Sequence, residues 1–251
     1  PNSRVAVETA GKHRIWLFGE MTTKSEFDLK ELAMRVFVDD VGFRADEVRG
    51  VDVDVMVQSA DIALINDPEK QGAGDQGLMY GYACWNPKYE HMPTVHALAL
   101  ALCNKFTEVQ KAGTLSWLRP DGKSQVVMKN GVVTHVTIAA QHDDVIEQPD
   151  LHRAIYEHII MPVVGDGVAF EKCTINGTGK FVLGGYAADA GMTGRKIVVD
   201  AYGGGIPVGG GAYSGKDPTK VDRTAAYMAR FVAKTIVARK MAAQAQVALS
   251  Y

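Results

Sequence analysis

The dipeptide Asn130-Gly131 stands between two β-forming runs, Lys123 to Lys129 and Val132 to Gln141, and it constrains the architecture more than any other feature. Asn and Gly both accept the positive φ angles of a tight hairpin turn, so the two runs are expected to pair antiparallel. A second hairpin is expected where Arg4 to Thr9 and Arg14 to Glu20 flank the link Ala10-Gly-Lys-His13. Val51 to Val57 alternates strictly, which places Asp52 and Asp54 on one face of a strand. A solvated face explains that pair of carboxylates better than a metal site does. Between the strands lie helical patterns: Asp28 to Val41, ending near Gly42; Met92 to Lys111, stopped at Gly113; Leu151 to Val163; and the Ala-rich Thr219 to Gln244. Short strands are expected at Phe181 to Leu183 and Lys196 to Val199. Hairpins and helices alternate without the steady rhythm of a doubly wound fold. The expected class is therefore α+β, with helices packed on mixed or antiparallel sheets.

The chain has 251 residues, a net charge of −2 and 22% charged residues. No basic field exists for nucleic acid, so any anion must be bound locally. The three cysteines, Cys84, Cys103 and Cys173, form no C-x-x-C pair and no zinc spacing; they read as buried small hydrophobes in a reducing compartment. No apolar run reaches the roughly 18 to 20 residues that a membrane span needs. A cytoplasmic protein with no membrane partner is expected. Gln58 to Gln76 is rich in Gly, Asp and Asn, and a loop of that length in a compact chain is usually functional.

Charge and glycine converge between Asn176 and Arg223. Lys180, Arg195, Lys196, Lys216 and Lys220 sit among recurring glycines, and glycine lets backbone N–H groups approach an anion closely. Gly210 to Lys216 fits the phosphate-loop pattern G-x-x-x-x-G-K, but Asp217 and Pro218 follow where a hydroxyl and a helix should be. The helix must then begin after Lys216, with Asp217 as its expected N-cap and Pro218 at its first position. A nucleotidase of that type is excluded; a polyphosphate site of another kind is not. His13, His91, His96, His135 and His142 lack metal-ligand spacing and are expected to be structural or surface residues.

Five stretches, in order along nearly the whole chain, closely resemble S-adenosylmethionine synthetase, also called methionine adenosyltransferase. They are GAGDQGLMYGYA (72 to 83), GTLSWLRPDGKSQV (113 to 126), GKFVLGG (179 to 185), DAGMTGRKIVVDAYGG (189 to 204) and GGGAYSGKDPTKVDRTAAYMARFVAK (209 to 234). The resemblance implies a reaction in which the methionine sulfur attacks C5′ of ATP and tripolyphosphate leaves, to be hydrolysed to phosphate and pyrophosphate. A neutral nucleophile and a highly anionic leaving group demand positioning and cations above all.

By motif match, the resemblance implies ATP contacts from Asp121, Gly122 and Lys123, from Lys180 and Phe181, with the Phe181 ring stacked on adenine, and from Asp189 and Ala212. It implies a triphosphate clamp of Arg195, Lys196 and Lys216, which together with Lys123 form the catalytic set. Glu20, Gln58, Asp75, Asp189 and Lys220 match the positions for methionine. Asp222 matches a Mg²⁺ carboxylate and Glu8 the carboxylate associated with K⁺, so both cations are expected cofactors. Gln58 to Pro68 resembles a mobile gate. Asp75 lies where the family builds its site from two subunits, which implies a homodimer, or a dimer of dimers.

The resemblance also implies pseudo-repeated domains. Residues 1 to 70 are expected to begin a central-type domain, 71 to 92 to form a gate and interface segment, and 93 to 183 an N-terminal-type α+β domain. Residues 184 to 251 return to the central type, and the third family domain is largely absent. A His-Pro-Asp-Lys segment that the family carries near its N-terminus does not occur here. Three accounts stand open: a piece of a longer enzyme, a shortened synthetase in which a residue such as His13 or His142 replaces the missing group, or a noncatalytic nucleotide-binding homologue that regulates an active partner.

Overall fold

The computed structural model describes residues 2–10, 12–59, 72–73 and 76–251. Two units result, one formed by Pro1–Met34, Val48–Pro93 and Ala190–Tyr251, the other by Arg35–Glu47 and Thr94–Asp189.

The first unit starts with the expected hairpin, β1 (Asn2–Ala10) and β2 (Arg14–Thr22), in unbroken antiparallel register from Asn2↔Thr22 to Ala10↔Arg14. Its turn places Lys12 and His13 at φ of 50° and 64°. Helix α1 (Leu29–Arg35) follows; Asp28 caps it by accepting from the Lys30 and Glu31 amides at 2.7 and 3.2 Å. From Arg35 the chain belongs to the second unit: the helical run widens into a π turn, Val36–Val41, and stops at Gly42 with φ of 93°, as the sequence pattern predicts, before the chain returns to the first unit at Val48. Strand β3 (Gly50–Met56) then lies parallel to β2, with Asp52 and Asp54 exposed as expected and Arg14 paired to Asp52.

A second, two-stranded sheet in this unit joins β4 (Leu78–Cys84) to β9 (Gln244–Ser250), antiparallel from Leu78↔Ser250 to Cys84↔Gln244. Both strands lie outside the sequence-based expectation. The Ala-rich helix, α4 (Val221–Ala238), is therefore shorter than expected, because the residues from Gln244 onward pair with β4 instead of continuing it. Its alanines pack rather than merely favour helix: Ala225, Ala226, Ala229 and Ala233 are buried against this sheet. A Cβ at Gly81 would fall inside the van der Waals envelope of the Ala229 carbonyl carbon, so β4 and α4 touch backbone to backbone. Gly81→Ala is expected to lower stability by about 1–3 kcal/mol through overpacking, read as a lower urea midpoint at unchanged slope.

In the second unit, β5 (Leu118–Lys129) and β6 (Val132–His142) form the hairpin around Asn130 and Gly131, whose φ values of 52° and 78° are those of a type I′ turn. Strand β5 begins earlier than expected. Between Leu118↔His142 and Gly122↔Ala140 the register shifts, so Pro120 falls in a bulge and leaves no missing donor in the ladder. Helix α2 (Thr94–Lys111) covers β5 with Leu98, Leu102, Phe106 and Val109, and β7 (Cys173–Ile175) adds to β6 in parallel. Helix α3 (Gln148–Ile155) passes through a π turn, Tyr156–Ile160, into Met161–Val164. The Met161 amide reaches back to the Tyr156 carbonyl there, one residue before Pro162, which has no N–H to donate.

The α+β expectation holds. Two expected strands do not form. Ile197–Asp200 is a helical turn whose amides close locally, and Phe181 to Leu183 belongs to no ladder. The three cysteines are free and half-buried, not fully enclosed. Among the described residues, no helix is long and apolar enough to cross a membrane.

Candidate functional site

In the first unit, the outer edge of β1 collects both glycine-rich turns. Toward its C-terminal end the edge pairs with β8 (Gly191–Met192) through Glu8↔Met192 and Thr9↔Gly191. Thr193 continues the contact: its amide donates to the Val7 carbonyl at 2.9 Å, and its hydroxyl oxygen accepts from the Val7 amide at 3.2 Å. Toward its N-terminal end the same edge holds the second turn. The Val5 amide donates to the Gly215 carbonyl at 3.0 Å, Arg4 bridges Lys216, and the Asp217 amide donates to the Ser3 carbonyl at 3.2 Å. Glycine is required at 215, where φ is 78° and a Cβ would collide with the Val5 carbonyl.

The two turns also meet each other. Gly194 has φ of 84°, and a Cβ there would lie 2.5 Å from that of Ala212. Arg195 and Lys196 follow at once with exposed side chains, so one strand edge and one close approach gather Arg195, Lys196, Ala212 and Lys216. This is a row of cations carried on backbone that is already hydrogen-bonded, suited to a polyanion.

At the start of α4 two ion pairs alternate. Lys216 Nζ lies 2.6 Å from Asp222 Oδ2, and Lys220 Nζ lies 3.1 Å from Asp217 Oδ2. Asp222 is held at its other oxygen by the Tyr251 hydroxyl at 2.8 Å. Burial raises the Asp222 pKa, but the hydrogen bonds from Lys216 and Tyr251 and the charges of Lys216 and Arg4 outweigh it and leave a net lowering. Asp217 is not the N-cap. The cap position is Lys220, and Asp217 lies one turn earlier, where its Oδ1 accepts from the Thr219 amide at 2.8 Å and its Oδ2 from the Ser3 amide at 2.6 Å. Pro218 accordingly precedes the helix. That the helix starts well after Lys216 matches the sequence expectation.

The remaining first-unit positions are on the same sheet. Glu8 is on β1, half-buried, opposite Trp16. Glu20 lies on β2, near its C-terminal end, and Gln58 follows β3, whose Met56 is the register partner of Glu20. Glu20 Oε2 and Gln58 Nε2 are both buried with no hydrogen-bond partner among the described residues. Asp75, and most of the Gln58 to Pro68 segment, lie outside the described residues.

The second unit carries Asp121, Gly122, Lys123, Lys180, Phe181 and Asp189. Asp121 lies in the β5 bulge, where its Oδ2 accepts from the Gly185 amide at 2.7 Å, and Lys123 is exposed two residues on. The segment that follows β7 is laid along the end of β6 by side chains instead of a ladder. Asn176, at φ of 44°, exchanges two hydrogen bonds with Ala140, of 2.8 and 3.0 Å. Gln141 Nε2 donates to the Val182 carbonyl at 3.0 Å.

Fully buried His142 then clamps Phe181. The His142 amide donates to the Phe181 carbonyl at 3.0 Å, and the Phe181 amide donates to Nε2 at 3.1 Å. Because Nδ1 lies 2.9 Å from the Asp143 carbonyl, which only accepts, the proton belongs on Nδ1 and Nε2 is free to accept. His142 is thus structural, as expected, and it fixes a residue assigned to the nucleotide. The β-prone side chains of Phe181 to Leu183 suggest a strand, and a single-residue exchange of this kind leaves no periodic signal against it. Lys180 pairs with Asp144 in solvent, and the hydrogen bond to that carboxylate raises the lysine pKa.

Among the described residues no group of three or more His, Cys, Asp or Glu is arranged to hold a metal. Asp222 nevertheless fits one carboxylate of a Mg²⁺ site completed by phosphate oxygens. It is a hard oxygen donor, it already holds an ammonium as stand-in cation, and its carboxyl group lies where a Cβ on Gly211 would be.

The family model described as S-adenosylmethionine synthetase, central domain, matches residues 70–181. That described as S-adenosylmethionine synthetase, C-terminal domain, matches residues 183–251. The two matches follow one another in order and cover both the β5 bulge with its His142-clamped segment and the paired turns on β1, and the chain accordingly belongs to the S-adenosylmethionine synthetase family.

Proposed function

We propose that this chain carries methionine adenosyltransferase chemistry, forming S-adenosylmethionine from ATP and L-methionine with release of phosphate and pyrophosphate. The observation that carries the reading is the pair of orphaned polar atoms at Glu20 and Gln58. A buried group without a partner costs about 1–3 kcal/mol, so two of them, one on β2 and one just past the parallel strand β3, favour a ligand that completes them. A carboxylate oxygen and an amide N–H are the complements of an amino acid's ammonium and carboxylate. Lys220 and Asp189 complete the methionine set in this reading, with Asp75 contributed from the segment before β4.

Arg195, Lys196 and Lys216 bind the triphosphate from the edge of β1 and hold it as it departs. Asp121, Gly122, Lys123, Lys180, Phe181 and Ala212 hold the nucleotide, and Lys123 adds positive charge to the catalytic set. The row of cations needs no rearrangement of backbone to receive negative charge, and one preorganised electrostatic contact of this kind is worth about 2.7–4 kcal/mol at a transition state. Mg²⁺ held by Asp222 would supply charge neutralisation at the phosphate oxygens, and Glu8 would serve K⁺. The working form is a cytoplasmic homodimer.

Incubating the protein with ATP, methionine, Mg²⁺ and K⁺ is expected to yield S-adenosylmethionine by mass spectrometry, with phosphate and pyrophosphate in equal amounts. Tight ATP binding without product would instead identify a noncatalytic homologue.

A further inference from the structure

Asp222 is shared between two residues held in different ways. Tyr251 is locked: its amide and carbonyl exchange hydrogen bonds with Gly77 at 3.1 and 3.0 Å, and its ring packs on the cluster of Met79, Ala225 and Ala226. The ring also lies over Gly77, where a Cβ would come within 2.5 Å of it, so only glycine admits this placement. Its hydroxyl is therefore delivered to Asp222 Oδ1 at a fixed point, 2.8 Å away. Lys216 is pinned only at the backbone. Its ammonium reaches Asp222 Oδ2 along a flexible four-carbon stem, and the two side chains are 14% and 28% exposed.

We propose that Lys216 is a built-in counter-cation, occupying Asp222 until a divalent metal arrives with polyphosphate, and then passing to the phosphate oxygens while the metal takes Oδ2 and Tyr251 keeps Oδ1. The proposal rests on the assignment of Asp222 to metal and Lys216 to phosphate made above. Charge accounting supports it. A metal arriving alone would displace the ammonium and leave it beside a dication, with no anion for either. Arg223, whose guanidinium donates to the Lys216 carbonyl, and Arg4, whose charge acts on Asp222, deepen that repulsion. A metal arriving with polyphosphate brings anions for every cation present. Metal and polyphosphate must then raise each other's affinity by the same factor.

The test uses the intact chain, Mn²⁺ as the metal and inorganic tripolyphosphate as the anion, with bound metal read by water-proton relaxation. Lys216→Met is expected to bind Mn²⁺ alone roughly fivefold or more tightly than the parent chain, and to bind the preformed Mn²⁺–tripolyphosphate complex more weakly. That reversal of sign is the signature, because loss of fold would weaken both. Equal or weaker binding of Mn²⁺ alone by Lys216→Met overturns the exchange. Tyr251→Phe is expected to weaken both forms alike, and no change in either removes Tyr251 as a positioning residue. Asp222→Asn, checked for a parental circular dichroism spectrum, should lose the site. If it binds the complex like the parent, the metal assignment falls and the exchange with it, whereas failure at Lys216 alone leaves that assignment standing.

Discussion

Asp217→Ala is expected to cost about 3–5 kcal/mol of folding stability, the range for removing one partner of a buried ion pair. The carboxylate is only 9% exposed and gathers three donors: the Ser3 amide at 2.6 Å, the Thr219 amide at 2.8 Å and Lys220 Nζ at 3.1 Å. Those donors come from the first strand and from the approach to α4, more than 200 residues apart in sequence, so the side chain ties the two ends of the first unit together. Its removal strands the Lys220 ammonium, itself 8% exposed, beside the Thr219 hydroxyl.

The loss should depend on pH in a defined direction. Burial alone would raise the Asp217 pKa, but the hydrogen bonds from Thr219, Ser3 and Lys220 together bring it well below the ordinary carboxylate range. A folded-state value below the unfolded one gives stability that is present above the unfolded value, about 3.9, and lost as pH falls through and below it. Urea midpoints of the parent and of Asp217→Ala should therefore differ widely at pH 7 and converge below pH 4. A gap that stays constant to low pH would show that packing, not charge, sets the effect.

Features set by local rules could be read from the sequence, and features set by distant partners could not. Asn130-Gly131 fixed its hairpin because the turn's φ angles are a property of those two residues alone, and the β1–β2 pairing followed the same logic. Strands β4 and β9 were missed because each forms only through the other, across more than 150 residues, and β9 follows directly on an Ala-rich pattern. Phe181 and Ile197 misled for a related reason. Their β-prone side chains promise strands, yet His142 and Gln141 supply the partners of the first segment and a local turn those of the second. The site divides likewise. The failure of the phosphate-loop pattern at Asp217 was visible, since Pro218 cannot sit inside a helix. That Asp217 would instead fasten the first strand was not, because nothing near Asp217 in sequence announces Ser3.

Glu20→Met is expected to act with the opposite sign to Asp217→Ala: the protein becomes more stable and loses its substrate. Both are carboxylates of the first unit, but Asp217 has three donors, whereas Glu20 Oε2 is buried with none among the described residues. Leaving a buried acceptor unsatisfied costs about 1–3 kcal/mol, and an unbranched apolar side chain of similar length removes that cost without opening a cavity. A higher unfolding midpoint follows. The same substitution deletes the acceptor proposed for the methionine ammonium, and a hydrogen bond to a charged group is worth about 1.5–3 kcal/mol, so the KM for methionine should rise roughly 10- to 100-fold. Thermal unfolding with and without methionine reads both effects at once: the parent should melt higher when methionine is present, and Glu20→Met should melt higher than the parent without it and respond little to its addition. A variant that melts lower and is still raised by methionine would make Glu20 a structural residue and would move the amino-acid site elsewhere.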